Sequence, residues 1–299
     1  MATAVTAVDS PAESAFVRRA SPLNAVLNFA RRKPVGAAAG LLCIILILIA
    51  LSANTLAPYP AAKLGLPRLH APSLSYPLGT DNLFRDMFSR VLIGSQISLG
   101  IGIASVLVGT LAGTVFGLAS GYVGGWLDLS VNRFLDAVMA FPPLVLAIFF
   151  LSIFRSSFLT VTLAIGIIIT PTTARIVRSS VLSVRQLNYI EAANALGAGN
   201  LRIMLRHVLP NVTAPIIVIA SIQVGNAILA EAALSFLSLG IASDAHPSWG
   251  KMLQDTRSVW QAAWWTAVMP GAAISLAVLS FNMFGDALRD ALDPRLRGS

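Results

Sequence analysis

The segment Tyr189–Asn211, with the sequence YIEAANALGAGNLRIMLRHVLPN, is a polar stretch between two long apolar parts of the chain. Its first half is rich in alanine and other helix formers, and Gly197-Ala198-Gly199 follows them. These glycines predict a turn, because glycine adopts the left-handed conformations that end helices. We predict that Asn200 caps a second helix, which ends at Leu209 because Pro210 cannot continue it.

The rest of the chain has the composition of a membrane protein. Of its 299 residues, 56% are apolar and 11% are charged, with a mean hydropathy of +0.77 and a net charge of +8. This apolar share exceeds the roughly 45–50% that is usual for soluble domains. Uncharged runs long enough to cross a bilayer, which takes about 20 residues, predict an all-α protein with six transmembrane helices. The predicted spans lie near 36–56, 94–119, 134–153, 158–177, 213–235 and 264–286.

The positive charges predict the orientation. If the N-terminus is cytoplasmic, 14 of the 21 lysines and arginines lie on the cytoplasmic side and 7 outside. Because cytoplasmic loops are enriched in these residues, both termini are predicted to be cytoplasmic. The first apolar run is longer than the core of a signal peptide, so we expect an uncleaved anchor.

The chain is predicted to divide into four parts. They are a cytoplasmic tail at 1–34, the first span with its external loop at 35–93, a transmembrane core at 94–288 that contains the polar hairpin at about 186–211, and a cytoplasmic tail at 289–299.

The polar hairpin is therefore expected at the cytoplasmic membrane surface. In its second helix, Leu201, Leu205 and Val208 are predicted to share one face, and Arg202 and Arg206 another. Two interpretations remain open at this point. The hairpin is either an interfacial loop that packs helix ends together or a docking element for a cytosolic partner.

The hairpin resembles the EAA loop of permeases from ABC importers. The residues that carry this resemblance are Glu191-Ala192-Ala193, Gly197, Ile203 and Leu209-Pro210. Three further stretches resemble the dipeptide/oligopeptide (nickel) subfamily, in particular its dipeptide permease C subunit type. They are YPLGTDNLFRDMFSRVLIGSQISLGIGI from Tyr76, GYVGGWLDLSVNRFLDAVMAFPPLVLAI from Gly121, and ILAEAALSFLSLGI with HPSWGKMLQDTR from Ile228. The chain departs from the pattern at Phe84, where glycine is usual, and at Gln96, where arginine is frequent.

The resemblance implies a type I ABC importer permease fold in the bacterial cytoplasmic (inner) membrane. It implies three kinds of protein partner: a second homologous permease, two ABC ATPase subunits and an extracytoplasmic solute-binding protein. ATP and Mg²⁺ would bind to the ATPase subunits, whereas this chain would bind no cofactor, metal or nucleic acid and would not be an enzyme. The residues implied in coupling to the ATPase are Glu191, Ala192, Ala193, Leu196, Gly197, Ala198, Asn200, Arg202 and Arg206.

The expected cargo is di- or oligopeptides, and the sequence keeps alternatives open. Nickel or another small solute is carried within the same subfamily. A self-sufficient channel or secondary transporter would also have six spans, but it would need no EAA hairpin and would carry more charge within the membrane. A membrane enzyme is disfavoured because no convergent catalytic set, Walker P-loop or GxGxxG stretch occurs, and the three histidines are widely dispersed. The external loop, 57–90, is expected to help receive the binding protein.

Three polar residues of the fifth predicted span are candidates for the translocation path. Glu231 is either an interfacial carboxylate that is hydrogen-bonded within the fold or part of an outer gate, since ionisable groups at membrane depth are often functional. Gln223 and Asn226 face the conduit or join helices. Likewise, the glycines that recur every four residues from Gly109 to Gly121 either pack two helices or line a conduit. Phe141-Pro142-Pro143 is expected to break or kink the start of the third span, and Pro171 to kink the fourth.

Overall fold

The computed structural model describes residues 29–31, 33–241 and 243–292, and the regular structure in this part is helical. Most of the two predicted tails lies outside the described residues. The helices are α1 (Pro34–Leu56), α2 (Met87–Val123), α3 (Gly125–Met139), α4 (Pro143–Ile153), α5 (Phe158–Arg185), α6 (Asn188–Ala195), α7 (Asn200–Phe236), α8 (Trp249–Asp255) and α9 (Trp265–Leu292).

Five helices are long and apolar enough to cross a membrane, namely α1, α2, α5, α7 and α9. The third predicted span is a pair, α3 and α4, bent by 88° at a short break. The break falls at Phe141-Pro142, where proline supplies no N–H and restricts the residue before it to extended conformations. Of the two predicted alternatives, a break or a kink, the structure has the break, and the six predicted spans become five continuous helices and one broken span. Pro171, by contrast, lies inside an unbroken α5.

The centre of the molecule is the long contact between α2 and α5. Cβ atoms built at Gly109, Gly113 and Gly117 of α2 would come within 2.5–2.8 Å of atoms of α5. Only glycine permits this approach, because any side chain would push the two backbones apart. The structure therefore supports the packing interpretation of the glycine stripe. The main core lies around this pair and includes α4, α7 and α9.

The second helix of the polar hairpin differs from its predicted form in three respects. Gly199 rather than Asn200 is its N-cap, and no side chain caps it. The helix also continues through Pro210 as far as Phe236 instead of ending at Leu209. A π-helical turn at Met204–Val208 immediately precedes the proline. This wider turn relieves the usual clash between a proline ring and the carbonyl four residues earlier, so the helix continues through Pro210.

The third difference concerns the buried face. Ile203 and Val208 are completely buried, whereas Leu201 and Leu205 are largely exposed. Leu201, Leu205 and Val208 therefore do not share a face as predicted. A π turn closes hydrogen bonds between residues five apart instead of four, and the two buried residues, Ile203 and Val208, are five apart. The α-helical spacing used for the prediction does not apply across that turn.

Candidate functional site: the polar hairpin and a transmembrane groove

The turn of the hairpin is a complete Schellman motif at the end of α6. The Ala198 N–H donates to the Ala193 carbonyl at 3.1 Å, and the Gly197 N–H donates to the Asn194 carbonyl at 2.9 Å. Gly197 has a φ of +79°, the left-handed conformation that this motif requires. A Cβ atom at this position would meet no heavy atom within 4 Å. Glycine is thus required here by the backbone and not by a lack of space.

A small second core attaches the base of the hairpin to the spans. Ile190, Ile203 and Val208 are fully buried in it, against apolar side chains of α2 and α5. The Tyr122 hydroxyl, near the end of α2, donates to the Asn194 side-chain carbonyl at 3.3 Å. Burying each such aliphatic side chain stabilises the contact by about 1.5–3 kcal/mol. The hairpin is therefore firmly attached to α2 and α5, and a displacement of one moves the other.

The opposite face of the hairpin is open. Leu196 at the tip is 88% exposed, and Leu201 and Leu205 stand beside it in the next helix, 64% and 52% exposed. Glu191 and Arg202 are also exposed, and within the described part of the chain neither forms a recorded ion pair. Apolar side chains flanked by unpaired charges are typical of a protein–protein interface.

The structure brings all nine predicted coupling residues together in this one hairpin. They divide between its two faces. Ala193 and Ala198 are partly buried and pack against the second core. The exposed members are Glu191, Ala192, Leu196, Gly197, Asn200, Arg202 and Arg206.

Gln223 and Asn226 line a groove of about 540 Å³ between the break of α3 and α4, α5 and α7. The Asn226 side-chain N–H donates to the Gln223 side-chain carbonyl at 2.8 Å. The other lining residues are apolar except Thr172. The groove thus offers amide donors and acceptors on an apolar wall, which suits a ligand with its own amide groups.

Glu231 does not line this groove. It is fully buried, and its carboxylate accepts hydrogen bonds from Ser98 of α2 at 2.9 Å and from Ser235, one turn further along α7, at 2.6 Å. Ser98 also accepts the Trp249 backbone N–H at 3.1 Å, at the start of α8. The carboxylate therefore joins α2, α7 and α8, which agrees with the alternative that Glu231 is hydrogen-bonded within the fold. Its role as part of a gate stays a prediction.

A buried ionic cluster that the sequence pattern did not single out lies at the end of the molecule opposite the hairpin. The Arg85 guanidinium contacts Asp81 at 2.7 Å, Asp244 at 2.8 Å and Asp255 at 3.2 Å. Arg90 adds longer contacts to Asp81 and Asp255. Burial by itself lowers the pKa of Arg85, but the attraction and hydrogen bonds of the aspartates outweigh it and raise this pKa. The only sequence signal was the spacing of Asp81 and Arg85, since the other partners lie about 160 residues away.

Comparison with known proteins adds three findings. The family described as "Binding-protein-dependent transport system inner membrane component" matches residues 113–298. The glutathione transport system permease protein GsiD of Pectobacterium atrosepticum is 45% identical over 268 residues, which cover 89% of each chain. The dipeptide transport system permease protein DppC of Alkalihalophilus pseudofirmus is 44% identical over 230 residues, covering 77% of this chain and 75% of that protein.

Among solved structures, this chain is similar to a chain of the MetNI methionine ABC transporter, in an inward-facing conformation from the native crystal form. The TM-score is 0.58 at 17% identity, over 69% of this chain and 98% of that one. At this identity the likeness concerns the fold alone.

Proposed function

The chain belongs to the family of binding-protein-dependent transport system inner membrane components, and from this premise we propose that it translocates short peptides with energy from ATP hydrolysed on separate subunits. The fold predicted from the sequence, an all-α membrane permease of the type found in ABC importers, is confirmed. The resemblance to permeases of the peptide importer subfamily is confirmed as well. The chain is a multi-pass protein of the bacterial inner membrane.

Short peptides are the proposed cargo for two reasons. The two relatives described above are a glutathione permease and a dipeptide permease, and glutathione is itself a tripeptide. The groove beside α7 combines apolar walls with the paired amides of Gln223 and Asn226. Such a wall can exchange hydrogen bonds with peptide groups while it tolerates different side chains. Nickel or another small solute remains the alternative cargo within the subfamily.

The observation that carries the energetic part of this proposal is the hairpin. Its base is buried against α2 and α5, whereas its tip presents Leu196, which is 88% exposed. We assign the tip to a contact with an ATPase subunit, with one hairpin from this chain and one from a second, similar permease. When the two ATPase subunits close on ATP, the hairpins move together and the attached spans reorient. Energy passes between the sites because ATP favours one of two conformations of the whole assembly.

Uptake into proteoliposomes tests this function. The chain is reconstituted with its second permease, ATPase subunits and binding protein, and labelled dipeptide, glutathione and ⁶³Ni²⁺ are offered separately. We expect ATP-dependent accumulation of a peptide and none when the ATPase subunits are omitted. Accumulation without the ATPase would identify a channel or secondary transporter. Accumulation of ⁶³Ni²⁺ alone would replace peptides by nickel as the cargo.

A further inference from the structure

A short, tightly held turn precedes α2 at the end of the molecule that carries the ionic cluster. It begins and ends at the bridge between Thr80 and Asp86. Inside it, the Asp81 N–H donates to the Arg85 carbonyl at 3.0 Å. The Asp81 carboxylate in turn accepts the Leu83 N–H at 2.8 Å and the Arg85 N–H at 2.9 Å. Phe84 lies between these two donors, so its backbone is fixed from both sides.

Phe84 has an unfavourable backbone conformation. Its φ is +62°, in the left-handed region that bulky residues rarely adopt. Glycine would adopt this conformation freely. The neighbouring hydrogen bonds and the buried Asp81–Arg85 ion pair hold the residue there. Strained residues of this kind concentrate at functional sites, where the strain positions a group.

The strained conformation presents apolar side chains to the surroundings. Phe84 is 44% exposed and its neighbour Leu83 is 43% exposed. We call these two residues the apolar tip. A hydrophobic pair that is held rigidly loses little conformational entropy when a partner covers it, and central aromatic anchors of this type contribute most to binding at protein interfaces.

The position of the apolar tip favours a protein partner in water over lipid. The tip ends three residues before α2, which has 37 residues. A helix of this length extends about 55 Å, compared with about 30 Å for the hydrocarbon core of a bilayer. The ion-paired Arg85 and Arg90 lie at the same end of α2, and such ionised groups belong outside the hydrocarbon. The tip is therefore at or above the headgroup level.

We propose that the apolar tip, Leu83 and Phe84, is an anchor for the extracytoplasmic binding protein and inserts into an apolar pocket on that protein. This proposal rests on the proposed function, and on the predicted orientation that places this end outside. The family description names dependence on a binding protein, which must therefore engage the membrane subunits. In this role the strained Phe84 supplies a rigidly presented aromatic ring, which glycine could not supply.

The test uses the complete transporter in nanodiscs, with its binding protein. Phe84→Ala removes the ring, and Leu64→Ala is the matched control, because Leu64 is 66% exposed in the same external loop but lies outside the turn. We measure the Kd for the binding protein and the ATPase rate with and without it. Phe84→Ala is expected to weaken binding about tenfold or more, with an unchanged ATPase rate in the absence of the binding protein. Leu64→Ala is expected to bind like wild type.

A probe at the tip distinguishes the possible occupants. Phe84→Cys in a Cys43→Ser background carries a single environment-sensitive fluorophore, since Cys43 is the only cysteine in the sequence. The emission is expected to shift to the blue when the binding protein is added. A blue shift on transfer from detergent to nanodiscs, with none on adding the binding protein, would show that the tip binds lipid and would overturn the proposal.

The remaining outcomes separate this proposal from the function on which it rests. Equal Kd values for wild type and Phe84→Ala would reject the anchor while leaving the importer function intact. Equal losses in Phe84→Ala and Leu64→Ala would also reject it, because the effect would then belong to the whole loop. A wild-type complex whose ATPase and uptake ignore the binding protein would refute the proposed function itself, and the anchor with it.

Discussion

Replacing Gly197 by serine should weaken coupling between ATP hydrolysis and transport through a change in one dihedral angle. Gly197 has a φ of +79° at the turn of the hairpin. A residue with a Cβ pays about 1–2 kcal/mol in this conformation. No steric term is added, because the new Cβ would meet no heavy atom within 4 Å. The strain reduces the population of the native turn about 5- to 30-fold relative to altered turns.

Gly199 supplies a matched control two residues away. It is equally open, since a Cβ there also meets nothing within 4 Å, but its φ of −65° and ψ of 147° are accessible to any residue. Gly199→Ser should therefore behave like wild type, and serine is a favoured N-cap residue besides. Gly197→Asn should be closer to wild type than Gly197→Ser, because asparagine tolerates the left-handed conformation.

The assay compares membrane level, assembly with the ATPase subunits, ATPase rate and uptake for these three variants. We expect normal membrane levels throughout and a selective loss of assembly or of coupled uptake in Gly197→Ser. Wild-type uptake and assembly in Gly197→Ser would refute the argument from the turn. Loss of Gly197→Ser from the membrane would show that the hairpin is needed for folding instead.

Three further substitutions test the packing, the ionic cluster and the strained turn. Gly113→Leu should lower the amount of folded protein by overpacking α2 against α5, since a Cβ at position 113 would lie 2.7 Å from the nearest atom. Gly271→Leu is the control and should accumulate normally, because a Cβ at position 271 meets no heavy atom within 4 Å. Arg85→Met should reduce the free energy of unfolding by about 3 kcal/mol, because the buried Asp81 carboxylate loses its 2.7 Å ion pair and keeps only the longer one with Arg90. Lys33→Met, in an exposed pair, should cost less than about 1 kcal/mol. Phe84→Gly should raise the thermal midpoint by relieving about 1 kcal/mol of backbone strain. Denaturation monitored on the purified protein measures the last two effects, and a lower midpoint for Phe84→Gly would contradict the strain argument.

The sequence predicts most of the membrane spans and the turn of the hairpin because these features depend on local patterns. Runs of apolar residues directly report the hydrocarbon thickness that each helix must cross. The turn at Gly197 follows from the special conformational freedom of glycine. Even the break between α3 and α4 has a local cause in Pro142 and Pro143.

The features that the sequence did not predict depend on irregular geometry or on distant partners. The π turn at Met204–Val208 shifts the register by one residue, so the buried face and the effect of Pro210 could not be derived from α-helical spacing. The partners of Arg85 lie across about 160 residues of chain, and no local pattern pairs them. Likewise, the buried Glu231 carboxylate accepts a hydrogen bond from Ser98, which lies on a different helix.

The central claim is that the hairpin contacts the ATPase, and site-specific photo-cross-linking tests it most directly. A benzophenone amino acid is placed at Leu196, which is 88% exposed at the hairpin tip, and in a second variant at Leu41, which is 59% exposed on α1. In assembled, transport-competent complexes, the account predicts an adduct with an ATPase subunit at Leu196 and none at Leu41. The absence of an ATPase adduct at Leu196 in complexes that still transport would contradict it.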